Sequence, residues 1–333
     1  MVSRRQMLIG LGAGVIGSPF ASFAQAQPAP GVRRIGFLAA RSRSTPSNPD
    51  VFYDAFVQGM RDLGYVERKN LVIEWRFADG KYEPLAGLAA ELVRMRVEII
   101  VTHGNATIQA AQRATSTIPI VTAASNDLVG SGFVASLARP GGNITGLSNI
   151  SAELSPKHLE LLKSMMPKLS RVAILLNPGN SANPAILKSV ETGAPQVGIK
   201  TLLVNARTVE DLDRGFTTMT REGAQAVIVA ADAFFLGQGR QIADLTLKSR
   251  MPAITNWQQH TAAGVLMSYG QNPADYYRRA AIYVDKILRG AKPGELPIEQ
   301  PTEFHLAINR KTAKALGLTI PQELLLRANE VIE

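Results

Sequence analysis

The chain is 333 residues long, 46% apolar, carries a formal charge of +9 and contains no cysteine. Its length exceeds a single core of about 100–200 residues, so two domains are the default expectation, and the lack of thiols excludes disulfides, thiolate metal sites and cysteine nucleophiles. The basic surplus is scattered, with no run of Lys and Arg interleaved with aromatics; this argues against nucleic acid as a partner and for a solvated basic surface.

The chain opens with Ser3-Arg4-Arg5-Gln6-Met7-Leu8, an uncharged run over 7–16, and Ala24-Gln25-Ala26. These are the charged region, apolar region and A-x-A site of an export leader over 1–26, and the paired arginines resemble the twin-arginine signal. A periplasmic mature chain starting at Gln27 is expected, with +7 remaining once Arg4 and Arg5 are removed. Gly12-Ala13-Gly14-Val15-Ile16-Gly17 matches G-x-G-x-x-G, but that spacing seats a dinucleotide only between a strand and a helix. The apolar run is shorter than the ~20 residues of a membrane span, so no membrane anchor is expected in the mature chain.

From Arg33 onward, short β-rich runs alternate with amphipathic segments, the pattern of parallel sheets covered by helices. Strands are predicted over 35–39, 71–77, 98–102, 118–123 and 143–147, with helices over 49–63, 82–95 and 106–114 between them. A second series follows: helices 156–166, 184–197, 209–222 and 238–250, with strands 172–176, 200–204, 226–230, 253–255 and 264–268. The helix predicted over 273–288 has no strand partner in the second series and is assigned back to the first domain. Residues 293–304 read as extended and 309–316 as helical.

In open α/β sheets ligands bind beyond the carboxyl ends of the strands, where helix N-termini present unpaired amides. Those positions carry Arg41 and Ser42; Gly104, Asn105, Ala106 and Thr107; Ser125 and Asn126; Asn177, Asn180 and Ser181; Asp232 and Phe234; and Asn256 and Trp257. Small polar groups with one acid and a few aromatics suit a cleft for a small zwitterion. Its carboxylate would meet backbone N–H groups and the hydroxyls of Ser125 and Thr107, and its ammonium Asp232. Taken singly, Asn105, Asn126 and Asp232 are ordinary capping or turn residues; their coincidence at equivalent ends of both halves favours binding.

His103, His158, His260 and His305 are far apart and lack H-x-x-x-H or H-E-x-x-H spacing, so neither a metal nor a cofactor is indicated. No G-x-S-x-G elbow is present and no catalytic residue is assigned; His103 reads as a cleft-edge residue. Tyr276 and Tyr277 read most simply as core.

The segments "RRIGFL", "DAFVQGMRDLGYVERKNLVIEWRFADG", "SLARPGGNITGLS", "PKHLELLKSMMPKLSRVAILLNP" and "INRKTAKALGLTIPQELLLRANEVIE" resemble the ABC transporter substrate-binding proteins of the tryptophan/tyrosine type. That resemblance implies a type I periplasmic binding fold: α/β, two doubly wound parallel-sheet lobes joined by a three-segment hinge, with lobe 1 over 32–146 plus 271–300 and lobe 2 over 147–270 plus 301–333. It implies a monomer without catalysis that delivers a small-molecule ligand to an inner-membrane ABC permease. Aromatic amino-acid binders resembling this chain tend to place an acid after the first strand of the second lobe. Asn177-Pro178-Gly179-Asn180-Ser181 stands there instead, which leaves an aromatic or branched amino acid and an aromatic carboxylate both open.

Overall fold

Alternation of β-branched runs with amphipathic helices produces two mainly parallel sheets. The computed structural model describes residues 31–43, 50–300 and 302–333; the leader expected over 1–26 lies outside the described residues, as do Ser44 and Pro49.

The first sheet holds β1 (Arg33–Ala39), β2 (Leu71–Phe77), β3 (Ile100–Thr102), β4 (Ile120–Thr122) and β5 (Ile144–Gly146), all parallel in the order β2-β1-β3-β4-β5. The central strands β3 and β4 share the sequence Ile-Val-Thr and are buried throughout, as expected for strands covered on both faces. The helices α1 (Val51–Asp62), α2 (Leu85–Arg94) and α3 (Asn105–Ala114) alternate with these strands. Asp50 caps α1 by accepting from the Phe52 and Tyr53 amides.

The second sheet repeats this order. α4 (Ser151–Met165), β6 (Arg171–Leu176), α5 (Asn183–Gln196), β7 (Lys200–Asn205), α6 (Val209–Arg221), β8 (Ala226–Val229), α7 (Ala233–Gly237), α8 (Gly239–Lys248), β9 (Ala253–Thr255), α9 (Gln258–Ala262) and β10 (Met267–Gly270) follow in sequence. The parallel run β7-β6-β8-β9-β10 is the counterpart of β2-β1-β3-β4-β5. After β10 comes α10 (Pro273–Leu288), which packs on α1 of the first lobe. Its Tyr277 is fully buried between the Phe37 and Phe52 rings, and burying a side chain of that size stabilises by about 2–3 kcal/mol.

The chain then returns to the second sheet with β11 (His305–Asn309), antiparallel to β10, followed by α11 (Arg310–Ala315), α12 (Gln322–Arg327) and β12 (Glu330–Ile332). It therefore passes between the sheets three times. Two passages are bonded together: the Ser148 amide donates to the Glu299 carbonyl at 2.8 Å and the Glu299 amide to the Gly146 carbonyl at 3.0 Å. Gly146 is obligatory there, because it has φ +126° and a Cβ would lie 2.2 Å from the Thr122 carbonyl oxygen.

Some elements differ from expectation. α4 begins at Ser151, five residues before Pro156, because Asn149 Oδ1 accepts from the Ser151 amide and hydroxyl at 3.3 and 3.0 Å; the helix forgoes one backbone bond at the proline. β11 and β12 are not visible in local patterning, since a strand on the edge of an existing sheet is stabilised by its neighbour rather than by its own periodicity.

Candidate functional site

Residues directly after β3, β4, β5, β8, β9 and β10 line one cavity of about 30 Å³ between the two sheets. This is the geometric consequence of the repeated parallel order: the carboxyl ends of equivalent strands, and the N-termini of the helices that follow them, converge. α3 starts at Gly104, α4 at Ile150, α7 at Asp232, α9 at Trp257 and α10 at Asn272. The N-cap of α3, Gly104, supplies no side-chain cap, so its first-turn amides stay available to an anion, whereas the Ser151 amide that opens α4 is taken by Asn149 Oδ1.

Hydrogen bonds tie the lobes together around this cavity. Asn105 Nδ2 donates to Ser181 Oγ at 2.9 Å, Asn126 Nδ2 to the Ala231 carbonyl at 2.8 Å, and the Tyr82 hydroxyl to Asp232 Oδ1 at 2.7 Å. The Tyr82 ring lies over Gly179, where a Cβ would sit 3.2 Å from the ring edge. Asn105 Oδ1 also accepts from the Ser125 hydroxyl at 2.8 Å and the Asn126 amide at 3.0 Å, which locks its amide orientation.

Among the residues that line the cavity, four carry a fully buried side-chain atom without a hydrogen-bond partner: Asn126 Oδ1, Asn256 Nδ2, Gln271 Nε2 and the Tyr276 hydroxyl. Buried polar groups are nearly always satisfied, so four residues of one lining with unpaired atoms leave polar capacity unused beside the cavity. Burial raises the Tyr276 phenol and keeps it protonated. Burial, with Arg41 nearby, lowers His103 to about 3, so its ring is neutral near pH 7. Asp232 is the one acid among the residues lining the cavity; burial pushes its carboxyl up while Tyr82, Asn177, Phe234 and Asn180 hold it down by hydrogen bonding.

The sequence profile of the ABC transporter substrate binding protein family matches residues 45–332. The chain belongs to that family. A curated relative, a tyrosine-binding protein from Clostridioides difficile (strain R20291), is 23% identical over 263 residues, 79% of this chain and 75% of the relative. Among solved structures, a conserved domain protein from Vibrio cholerae O1 biovar El Tor is 26% identical with a TM-score of 0.83, covering 90% of this chain and 99% of that one. An ABC domain in complex with L-Trp from Streptococcus pneumonia is 24% identical at TM-score 0.82, with the same coverage. A ligand-free, open substrate binding protein from Clostridium difficile is 22% identical at TM-score 0.62, again over 90% and 99%.

In this substrate-binding protein the positions singled out from sequence divide into three groups. Gly104, Asn105, Ser125, Asn126, Asn180, Asp232, Asn256 and Trp257 line the cavity. Arg41, Ser42, Ala106, Asn177 and Phe234 line two larger grooves, of about 340 and 610 Å³. Arg41 is occupied by Asp50 at 2.8 Å, the Tyr277 hydroxyl at 3.3 Å and the Phe52 and Tyr53 rings. Thr107 turns its hydroxyl back to the His103 and Gly104 carbonyls, both at 2.8 Å, and does not reach the cavity; threonines in a first helical turn commonly bond backward in this way. Ser181 is exposed and bonds Asn105.

Asn149, Ser151, Gln271, Pro273 and Tyr276 also line the cavity and were not among the candidates. All lie after the fifth strand of a sheet, whose ends are not among the strand ends from which candidates are drawn. Tyr276 is core by burial, but its hydroxyl is left without a hydrogen-bond partner. Applying the strand-end rule to the fifth strands as well reaches them.

Proposed function

We propose that the mature protein works in the periplasm as the capture component of an ABC importer: a monomer that closes its lobes on a small carboxylate-bearing ligand and presents it to an inner-membrane permease, without altering it. Residues 32–146 with 271–300 form one lobe in this reading, 147–270 with 301–333 the other, and the three passages between them the hinge. Residues 1–26 serve as the cleavable twin-arginine leader.

The observation that carries the reading is the convergence of strand ends from both sheets, with the uncapped N-terminus of α3, on one interlobe cavity lined by polar side chains. Amides, hydroxyls and an aromatic wall of Trp257 and Tyr276 suit recognition of a carboxylate and an apolar body. A void of about 30 Å³ takes about one water, whereas small-molecule sites run to about 300–1,000 Å³. A ligand therefore enters only when the lobes part. The higher similarity to the L-Trp complex than to the open, ligand-free relative supports a closed conformation here, and the relatives named for tyrosine and L-Trp support a ligand of aromatic amino-acid size.

The test is a thermal-shift screen of the purified mature protein against amino acids, aromatic acids and branched acids, since a ligand held only by the folded state raises Tm. At about 100 times Kd the gain is about 2.7 kcal/mol. No shift from any carboxylate in the screen refutes the reading.

A further inference from the structure

The void of about 30 Å³ is what remains where the two lobes touch one another directly, and the contacts that shut it use the cavity's own polar residues. Resting on the reading of this cavity as the capture site, we infer that the ligand-free protein latches itself shut: Tyr82, Asn126 and Ser181 join the lobes in the place of a ligand, and capture begins with release of this latch.

Three residues of the cavity lining turn a polar group to the opposite lobe. Asp232, after β8, accepts through Oδ1 from the hydroxyl of Tyr82, carried by the loop after β2, at 2.7 Å. Asn126, after β4, donates through Nδ2 to the Ala231 carbonyl at 2.8 Å. Asn105, at the start of α3, donates through Nδ2 to Ser181 Oγ, in the turn after β6, at 2.9 Å, and the Ser181 hydroxyl donates back across the lobes to Ser131 Oγ at 3.1 Å. Protein thus engages groups that a ligand in this cavity would need. Both sides are set for the contact before it forms. Asn177 Nδ2, Asn180 Nδ2 and the Phe234 amide hold the Asp232 carboxylate from within its own lobe, and the Ser125 hydroxyl and Asn126 amide hold Asn105 Oδ1. Groups already fixed lose little freedom on meeting.

The backbone is shaped for the same closure. A Cβ on Gly104 would lie 3.1 Å from that of Ala233, and one on Gly179 3.2 Å from the Tyr82 ring, both inside the roughly 3.5–4.0 Å of carbon–carbon contact. Gly104 and Ala233 both line the cavity, so the lobes meet within the site itself because a side chain is missing there. Tyr82 and Asn177 line the groove of about 610 Å³, whereas Asp232 lines the cavity; the Tyr82–Asp232 hydrogen bond therefore lies in the wall between the two voids.

One net hydrogen bond is worth about fivefold in an equilibrium constant, and three independent ones on the order of a hundredfold. The apparent affinity for any ligand falls in proportion to the fraction of molecules that the latch keeps shut.

The experiment needs no ligand. In small-angle X-ray scattering the mature, ligand-free protein is expected to show the radius of gyration of the closed lobes described above. Tyr82→Phe, Asn126→Ala and Ser181→Ala combined should enlarge it, by moving the shut-to-open ratio on the order of a hundredfold. Acrylamide quenching of Trp257, which lines the cavity and is 7% exposed, gives an independent readout. It is measured in a Trp75→Phe background, which leaves Trp257 the sole tryptophan, and quenching should rise several-fold when the latch is removed. Should the combined variant fail to fold, Tyr82→Phe alone is expected to shift both readouts in the same direction, by about fivefold in the ratio. A ligand-free wild-type protein wider than the closed lobes, or a folded variant with the same radius and equally shielded Trp257, overturns the latch. Either result leaves the capture function standing, because lobes that rest open also close on a ligand; that function falls on the thermal-shift screen instead.

Discussion

Three histidines are buried neutral, and this makes the fold sensitive to acid by an amount that follows from their surroundings. His158 donates through Nε2 to the Tyr269 carbonyl at 2.7 Å and His260 through Nε2 to the Leu236 carbonyl at 3.2 Å, whereas His103 packs against the Tyr277 ring at 5.3 Å. Burial lowers all three, His158 and His260 to about 4 and His103 to about 3. In the unfolded chain they titrate near 6.5, so between about pH 6.5 and pH 4 the unfolded state binds more protons and stability falls as pH drops. Lowering the pH from 7 to 5 removes about 2 kcal/mol per histidine and about 6 kcal/mol in all, a large share of a typical total of about 5–15 kcal/mol. The raised Asp232 carboxyl acts in the opposite sense, because its native form keeps a proton above the pH at which the unfolded form loses it. Urea denaturation of the ligand-free protein at pH 7 and pH 5, followed by tryptophan fluorescence, measures the difference. In His158→Gln, whose amide nitrogen replaces Nε2 as donor to the Tyr269 carbonyl, the pH-dependent loss should shrink by about 2 kcal/mol. A wild-type stability equal at the two pH values, or an unchanged pH dependence in His158→Gln, refutes the reasoning.

Tyr276→Phe removes one of the orphaned groups while keeping the ring, and should weaken ligand binding about fivefold by calorimetry, the worth of one net hydrogen bond near 1 kcal/mol; unchanged affinity would separate the hydroxyl from the ligand. Gly146→Ala places a Cβ 2.2 Å from the Thr122 carbonyl oxygen at φ +126° and should cost about 2 kcal/mol or more in chemical denaturation. Arg4→Lys combined with Arg5→Lys should block export, leaving the uncleaved chain in the cytoplasm on cell fractionation; normal periplasmic levels of processed protein would contradict the twin-arginine reading.

The two α/β series were legible because each strand and most helices bury one face, which writes a period of about 2 or 3.6 residues into the local sequence. The strand-end rule located half of the cavity for the same reason: parallel order places loops and helix N-termini at one end of a sheet. Thr107 shows where that rule stops. Its position is right, but its hydroxyl is drawn to the His103 and Gly104 carbonyls, a choice set within the helix's own first turn. Tyr276 fails in the other direction, because its spacing marks a core face while the residue also lines the cavity.

Local sequence thus carried the fold class, the strand ends and the chemistry available at them, because these depend on contacts between residues near one another along the chain. Partnership across the lobes is a long-range matter. Tyr82 and Asp232 are separated by 150 positions, and no periodicity links them. Their 2.7 Å hydrogen bond exists because two sheets of the same topology face each other with their strand ends together. That arrangement decides that Asp232 is hydrogen-bonded from the opposite lobe by Tyr82 and that residues after strand ends of both sheets line one cavity.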